Sequence, residues 1–462
     1  VGGFHRAHQA VYLDDLAAKG ISQDWGVTGV GLRRRDMKEA LSEQDCLYTV
    51  VERGAEHDKG RVVGCMSGYL YAREEAQQVL AALTDERTRI VSLTITGDGY
   101  RRDDEVTDAF DERAQTMGAG HSGEGPFTTA WAFMVEALDQ RRRAGKRPFT
   151  VMSCDNLPDN GKAARHALVS SAAVRNPSLA SWIDDNVAFP STMVDRITPK
   201  TQASDRDAVE RTFRVADRWP VITEPFTQWV IEDAFCNGRP PLEDVGAEFV
   251  GDVAAHKLVK SRLLNGSHCA LGYLGLLAGY HRTDEAMRDP VIYSYIERLM
   301  RVEITPLLPS VPGLDIGQYR LTLLQRLMNP RISDQLSRLA ARGSTKMPAY
   351  LLPSLVEARA QRRPHALLGL AVVAWMRYLR GYDFRGRPLT VVDPRAPELT
   401  TLAKVALHNP KPLLGLRELF GDLGDDGAFV NSVVEMCSDV EYLGLQEVLR
   451  RVLSGSVISA TG

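Results

Sequence analysis

Lys260, Asn265 and His268 stand close together in the run Lys260-Ser-Arg-Leu-Leu-Asn265-Gly-Ser-His268. An amine, an amide and an imidazole together offer a proton acceptor and several hydrogen-bond donors. Read as an α-helix at about 100° per residue, Asn265 lies about 140° and His268 about 80° round from Lys260, over roughly 12 Å of rise. All three then face one half of the cylinder. Leu263 and Leu264 lie between them, and Ala270, Leu271, Leu274, Leu276 and Leu277 continue as an apolar helix. Such groups are costly to bury without a role or a partner. On spacing alone the plainer account is a snorkelling lysine, an exposed asparagine and a hydrogen-bonded core histidine. The rest of the chain argues otherwise.

The elements that must position these groups fall into two textures. His5 to Lys19 reads as a helix preceded by Gly2 and Gly3. Trp25–Leu32 follows as a buried strand and Asp36–Gln44 as a helix, the order of a doubly wound nucleotide-binding unit. Glycines ahead of a helix let backbone N–H groups approach a pyrophosphate. The stretch Leu32-Arg33-Arg34-Arg35-Asp36 ends the strand that tells NAD from NADP. An acid there bonds the ribose 2′-OH, whereas an arginine accepts a 2′-phosphate. Asp36 argues for NAD, and the arginines keep NADP open. Surface arginines around a helix-starting aspartate fit equally well.

Further strands are expected at Tyr48–Glu52, Arg61–Tyr71 and Ile90–Thr96, the last closed by Gly97-Asp98-Gly99-Tyr100. A helix from Thr128 to Ala144 leads to the strand Phe149–Cys154, which puts Asp155 and Asn156 at a carboxyl end. That is where such sheets hold ligands, although Asn156 before Leu157-Pro158 also suits an Asx-turn. The helix Lys162–Ala173 follows. Met193–Pro199 and Pro225–Asp233 read as short strands. After about Gly251 helical periodicity takes over: 253–279, 290–307, 317–327, 364–380, 400–407, 410–420 and 425–453. The expected class is therefore α/β, with a Rossmann-type doubly wound sheet in a cofactor domain at 1–250. A mostly α-helical substrate and catalytic domain is expected at 251–462.

The first residues, Val1-Gly2-Gly3-Phe4-His5-Arg6, read as the second half of a motif whose strand and first glycine lie upstream. That strand would be the central first strand of the sheet. A chain lacking it is expected to be unstable or to bind cofactor poorly.

Composition bounds the rest. The 462 residues exceed one ordinary core, and 44% apolar with 25% charged residues is a globular balance. A net charge of −3 gives no reason to expect a nucleic-acid partner. The six cysteines stand far apart without a CxxC, as expected of reduced thiols in a cytoplasmic protein. No apolar run reaches the ~20 residues of a membrane span, and no His/Cys set has zinc-ligand spacing.

Seven phrases, in order, then carry a resemblance that spans nearly the whole chain. They are Gly3-Phe-His-Arg-Ala-His-Gln9, Thr94-Ile-Thr96, Ser153-Cys-Asp-Asn-Leu-Pro158, Met193-Val-Asp-Arg-Ile-Thr-Pro199, Glu224-Pro-Phe-Thr-Gln-Trp229, Arg262-Leu-Leu-Asn-Gly-Ser-His268 and Gly343-Ser-Thr-Lys346-Met-Pro348. Together they resemble the polyol-specific long-chain dehydrogenases, the mannitol 2-dehydrogenase family. The resemblance implies a zinc-independent, nicotinamide-dependent enzyme interconverting a polyol and a ketose. It implies Lys260 as general base, Asn156 and Asn265 as amides that stabilise the developing alkoxide, and His268 as the group that aligns the substrate. Asp195, Arg338 and Lys346 are expected to line the polyol pocket. Gly2, Gly3, Phe4, Arg33 and Asp36 are the expected cofactor contacts. An unperturbed lysine titrates near 10.4, so burial and nearby cations must lower it by roughly 3–4 kcal/mol for work at neutral pH.

Two departures bear on the substrate. The family often has Pro-Tyr-Glu-x-Met-Lys where this chain has Ala255-His256-Lys257-Leu258-Val259-Lys260, and Gly97-Asp98 replaces a glutamate after Thr96. A cation at Lys257 suits a substrate carboxylate, which keeps a hexuronate (fructuronate/mannonate) reductase as an alternative. A cofactor-binding protein without catalysis is the remaining reading. A monomer is expected.

Overall fold

Ala130 begins its helix because Thr129 accepts a hydrogen bond from the Ala132 N–H at 3.2 Å, the arrangement that satisfies an otherwise unpaired helix-end donor. Pro177 begins another at its first position, with Asn176 Oδ1 accepting from the Ser178 N–H. Such local rules operate throughout the computed structural model, which describes residues 1–100, 127, 129–406 and 409–455. The expected helix limits at Thr128 and Leu407 lie outside the described residues. The chain divides into two compact units, Val1–Ala254 and Ala255–Gly462.

The first unit alternates strands and helices. Its strands are β1 (Val27–Gly31), β2 (Tyr48–Arg53), β3 (Asp58–Val63), β4 (Met66–Tyr71), β5 (Ile90–Leu93), β6 (Thr150–Ser153), β7 (Thr192–Asp195), β8 (Val221–Thr223), β9 (Gln228–Glu232) and β10 (Glu248–Val250). Pairing is mixed. β1 runs parallel to β4 and β5 parallel to β6. β2 joins β3 antiparallel and β8 parallel, and β9 joins β7 antiparallel and β10 parallel. Helices 76–84, 130–143 and 160–175 cover the β5–β6 pair over a core that includes Val79, Leu93, Phe133, Leu138, Val151 and Leu168. A second core, with Ala10, Leu41, Tyr48, Val50 and Val221, lies at the β2 end. β1 and β5 flank an apolar cavity of about 290 Å³ that His5, Gln9 and Leu13 also line.

Several expected elements are divided. The helix expected from His5 to Lys19 breaks at His8 into Gly3–Ala7 and Gln9–Ala18. The strand expected at 61–71 is two strands in different sheets, β3 and β4. The helix expected over 425–453 becomes Gly427–Leu443 and Leu445–Ser454, because Gly444 takes φ 81°, a conformation that costs glycine nothing. Helices Ala76–Thr84, Pro177–Asn186 and Ala203–Phe213 escaped the sequence reading.

The second unit is helical. Ser267–Ala278 and Ala366–Tyr378 form its centre, with Cys269, Tyr273, Leu274, Leu368 and Trp375 sealed from solvent. Among the described residues three π-helical segments interrupt the α-helices: Ser261–Gly266, Leu299–Ile304 and Met347–Leu351. Such segments are rare and gather at functional sites.

Candidate active site and cofactor cleft

The first π-segment changes the geometry expected around Lys260. The α-helix Ala254–Lys260 ends at the lysine, and residues 261–266 wind more widely before α-geometry resumes at Ser267. An i→i+5 bond closes each π-turn, so Asn265, five residues on, returns close above Lys260. The expected 140° separation is corrected. His268 then follows Asn265 by three residues, one α-turn further along the same side. Lys260 is buried between Val259 and Leu263, while Asn265 and His268 are half-buried. Lys257 is half-buried too.

Packing explains why the wide turn survives. A Cβ added at Gly266 would lie 3.1 Å from the Tyr350 carbonyl oxygen, so this glycine lets the first π-segment meet the third. Gly272 and Gly275, six and nine residues on, leave similar room, for a Cβ there would meet Ala340 N at 3.0 Å and Leu336 Cδ1 at 2.6 Å. These gaps seat the helix Leu336–Ala340, which carries Arg338, against the helix of His268. Arg338 forks onto Asp334, with Nε donating to Oδ1 at 2.7 Å and Nη2 to Oδ2. Lys346 Nζ donates to the carbonyls of Arg338 (2.9 Å) and Leu339 (3.1 Å). Burial, ahead of any charge, lowers the Lys346 pKa. It also pushes the adjacent Cys269 thiol up to about 12, against the pull of Lys346. The second unit thus brings Lys260, Asn265 and His268 onto one helix side and ties Lys346 to the Arg338 turn.

In the first unit, Asn156 is exposed on the loop after β6, and Asp195 is buried at the end of β7. Two residues that the sequence reading left without a role hold that loop. Asn160 is fully buried and its Nδ2 donates to the carbonyls of Ser153, Asp155 and Thr192. Asp155 accepts from Ile95 N (3.0 Å), Thr96 N (2.7 Å) and the Tyr100 hydroxyl (2.7 Å). Burial raises its pKa against the pull of these bonds. The ends of β5 and β6 are thereby locked together, and Thr96 sits at φ 67°. A β-branched residue there is strained and marks a functional turn.

Thr96 lines a cleft of about 890 Å³ that runs past Gly2, Gly3, Phe4 and the carboxyl end of β1. A Cβ on Gly2 would meet no atom within 4 Å, and one on Gly3 only Thr198 Cγ2 at 3.8 Å. The glycines therefore keep the cleft floor low rather than relieve a clash. Arg33 lines the cleft. Asp36 does not: it lies outside the lining, and Arg34 holds its carboxylate through Nε–Oδ1 at 3.0 Å and Nη2–Oδ2. That contact lowers the Asp36 pKa and raises that of Arg34. Among the described residues the lining contains six arginines and one lysine and no carboxylate. Arg73, Lys200, Arg206, Arg218 and the ring of Trp219 come from segments with no motif to mark them. Only the position of Arg73 just beyond a strand end was a usable signal. A shelf of small residues under a cationic rim fits the phosphates and aromatic ring of a dinucleotide.

Among the described residues no group of three His, Cys, Asp or Glu side chains is placed to hold a metal. No helix among them is long and apolar enough to cross a membrane, and all six cysteines are free thiols.

Comparison with known proteins places this architecture. The profile of the mannitol dehydrogenase Rossmann domain matches residues 1–244, and that of the mannitol dehydrogenase C-terminal domain residues 252–441. A mannitol 2-dehydrogenase of Aspergillus fumigatus is 42% identical over 464 residues, covering 98% of this chain and 92% of its own length. Mannitol dehydrogenase 2 of Saccharomyces cerevisiae is 40% identical over 460 residues, covering 98% and 91%. The chain superposes on the Pseudomonas fluorescens mannitol 2-dehydrogenase, solved as a ternary complex with NAD and D-mannitol, with TM-score 0.85 at 39% identity, covering 98% and 93%. Against a D-sorbitol dehydrogenase in substrate-free form the TM-score is 0.88 at 32% identity, covering 97% and 93%. Both matched domains and identity along nearly the whole length lead to one conclusion: the chain belongs to the mannitol dehydrogenase family.

Proposed function

We propose that the protein is an oxidoreductase interconverting a polyol and a ketose of the mannitol/fructose type, with a nicotinamide dinucleotide as co-substrate and Lys260 as general base. The observation that supports the reading is the π-turn 261–266, which begins just after the buried Lys260 and carries Asn265. The relative solved with NAD and D-mannitol supports the choice of ligands. A nicotinamide dinucleotide held in the cleft by Gly2, Gly3, Phe4 and Arg33 would supply the hydride chemistry at the reacting carbon. Lys260 Nζ removes the hydroxyl proton during oxidation and returns it during reduction. Asn265, with Asn156 as the second amide, donates to the substrate oxygen as negative charge grows there, worth about 3 kcal/mol per preorganised donor. His268 bonds and aligns the substrate, and Asp195, Arg338 and Lys346 bind its other hydroxyls. Lys346 spends two of its three N–H bonds on backbone carbonyls, so it offers one donor in a set direction. The reading includes no metal, a monomer and a cytoplasmic location.

Lys260→Ala is expected to lower kcat for D-fructose reduction by about 10²–10⁴-fold, the usual worth of a positioned acid or base. A Lys260→Ala enzyme that kept the parent's pH–rate profile would sink the assignment. The half-buried Lys257 favours one second reading, a hexuronate reductase whose substrate carboxylate pairs with it. Turnover of D-fructuronate but not D-fructose, lost in Lys257→Met, would select that branch.

A further inference from the structure

The turn that leads into Lys346 is held from outside its own segment. Arg342 takes φ 60°, the left-handed region that residues other than glycine rarely adopt. Its N–H donates to the Val392 carbonyl at 2.7 Å. Two residues later the Ser344 N–H donates to Asp393 Oδ2 at 2.8 Å and the Ser344 hydroxyl to Oδ1 at 2.6 Å. Between them, Gly343 lets the backbone lie against the core, for a Cβ there would stand 2.4 Å from Trp375 Nε1 and 2.6 Å from the Tyr273 hydroxyl. The partner of Ser344 is 49 positions further along the chain.

The clasping segment is itself anchored. The Tyr378 hydroxyl, at the end of the central helix, donates to the Thr390 carbonyl at 2.9 Å, and Asp393 Oδ1 also accepts from Arg395 N at 2.9 Å. The helix Gly343–Lys346 has four residues, so its direction follows from whatever fixes its first ones. Thr345 N and Lys346 N both bond the Arg342 carbonyl, each at 3.0 Å. The Lys346 main chain thus hangs on the strained Arg342 turn, while its ammonium is tied to the carbonyls of Arg338 and Leu339. A lysine stem is flexible, and its head keeps one direction only when the backbone beneath it is fixed as well. Ser344 is buried and Asp393 half-buried, which shields this clasp from competing water.

We propose that Asp393 is a positioning residue for substrate binding: its carboxylate clasps Ser344 and so aims the remaining Lys346 N–H at a substrate hydroxyl. The proposal rests on the reading of Lys346 as a polyol-pocket residue. Steady-state kinetics of D-fructose reduction by the parent, Lys346→Met, Asp393→Ala and the double variant separates the two. Lys346→Met is expected to raise the KM for D-fructose by about tenfold, as loss of one charge-assisted hydrogen bond does. Asp393→Ala is expected to raise it by about three- to tenfold, with kcat and the cofactor KM within about twofold of the parent. Added to Lys346→Met, Asp393→Ala should raise it by less than about twofold further, because the carboxylate acts through the lysine. Asp393→Asn keeps the side chain's shape and one acceptor for Ser344. It should show an intermediate KM, and it takes the place of the alanine variant in the same cycle if that one unfolds. A KM unchanged at Asp393 beside a raised KM in Lys346→Met overturns the proposal. An Asp393 effect that multiplies undiminished onto Lys346→Met also overturns it, since a purely structural residue would act that way. A Lys346→Met KM equal to the parent's overturns the pocket reading and the proposal with it.

Discussion

Asp155 bears more of the site than its neighbour Asn156, although only the asparagine drew attention as a substrate donor. Its carboxylate gathers two backbone N–H groups and the Tyr100 hydroxyl, which in turn contacts Ser153 Oγ at 2.6 Å. Asp155→Ala leaves the Ile95 and Thr96 N–H groups without a partner in a mostly buried pocket, while the Tyr100 hydroxyl keeps Ser153 Oγ. It is expected to cost about 2–4 kcal/mol and to weaken cofactor binding through the strained Thr96 turn. Chemical denaturation with and without cofactor checks both, and unchanged stability would show that water replaces the carboxylate. Lys346 makes a related point. Sequence places it in a pocket phrase, but its ammonium is anchored on the carbonyl end of the helix Leu336–Ala340. It is a cap and a positioned donor at once.

Elements in the second unit hold their places by exceptions to regular helix geometry. The π-segment Leu299–Ile304 carries Glu303, whose two oxygens accept from Leu367 N (2.9 Å) and Leu368 N (2.8 Å) at the start of the central helix. Burial nonetheless lifts its carboxyl from 4.5 to about 7, outweighing the two amide bonds. The folded protein therefore holds a proton that the unfolded chain releases between pH 4.5 and about 7. Stability from this group is complete below that window and is lost as pH rises through it, by about 3 kcal/mol. Thermal unfolding of the parent and Glu303→Gln at pH 5 and pH 8 checks this. The parent should lose the increment on going to pH 8, and the variant should not. Helix limits such as Ala130 were legible from caps and periodicity. The π-turns were not, because their cost is offset by contacts such as Gly266 on the Tyr350 carbonyl, which no local pattern announces.

At the scale of the whole molecule, charge is separated rather than abundant. The chain is close to neutral at −3, yet among the described residues one cleft collects seven cations and no carboxylate. Such a field draws a polyanion from a distance comparable to the Debye length, about 30 Å at 0.01 M salt and about 8 Å at 0.15 M. Association of a nicotinamide dinucleotide measured by stopped flow should therefore slow by about tenfold across that range, with dissociation changing much less. An association rate indifferent to salt would mean that the rim charges are locally neutralised.

The sequence by itself determined the family, through seven phrases in order, and the succession of an α/β part and a helical part. It also placed Lys260, Asn265 and His268 on one segment, because residues near in sequence share a local geometry. The tertiary structure decided what those residues meet. It wound 261–266 into a wider turn, committed Asp36 to Arg34, and carried Arg73, Arg206 and Arg218 to the rim occupied by Arg33. Periodicity is written along the chain, whereas close approach and ion pairing depend on residues tens to hundreds of positions apart. Only folding brings those together.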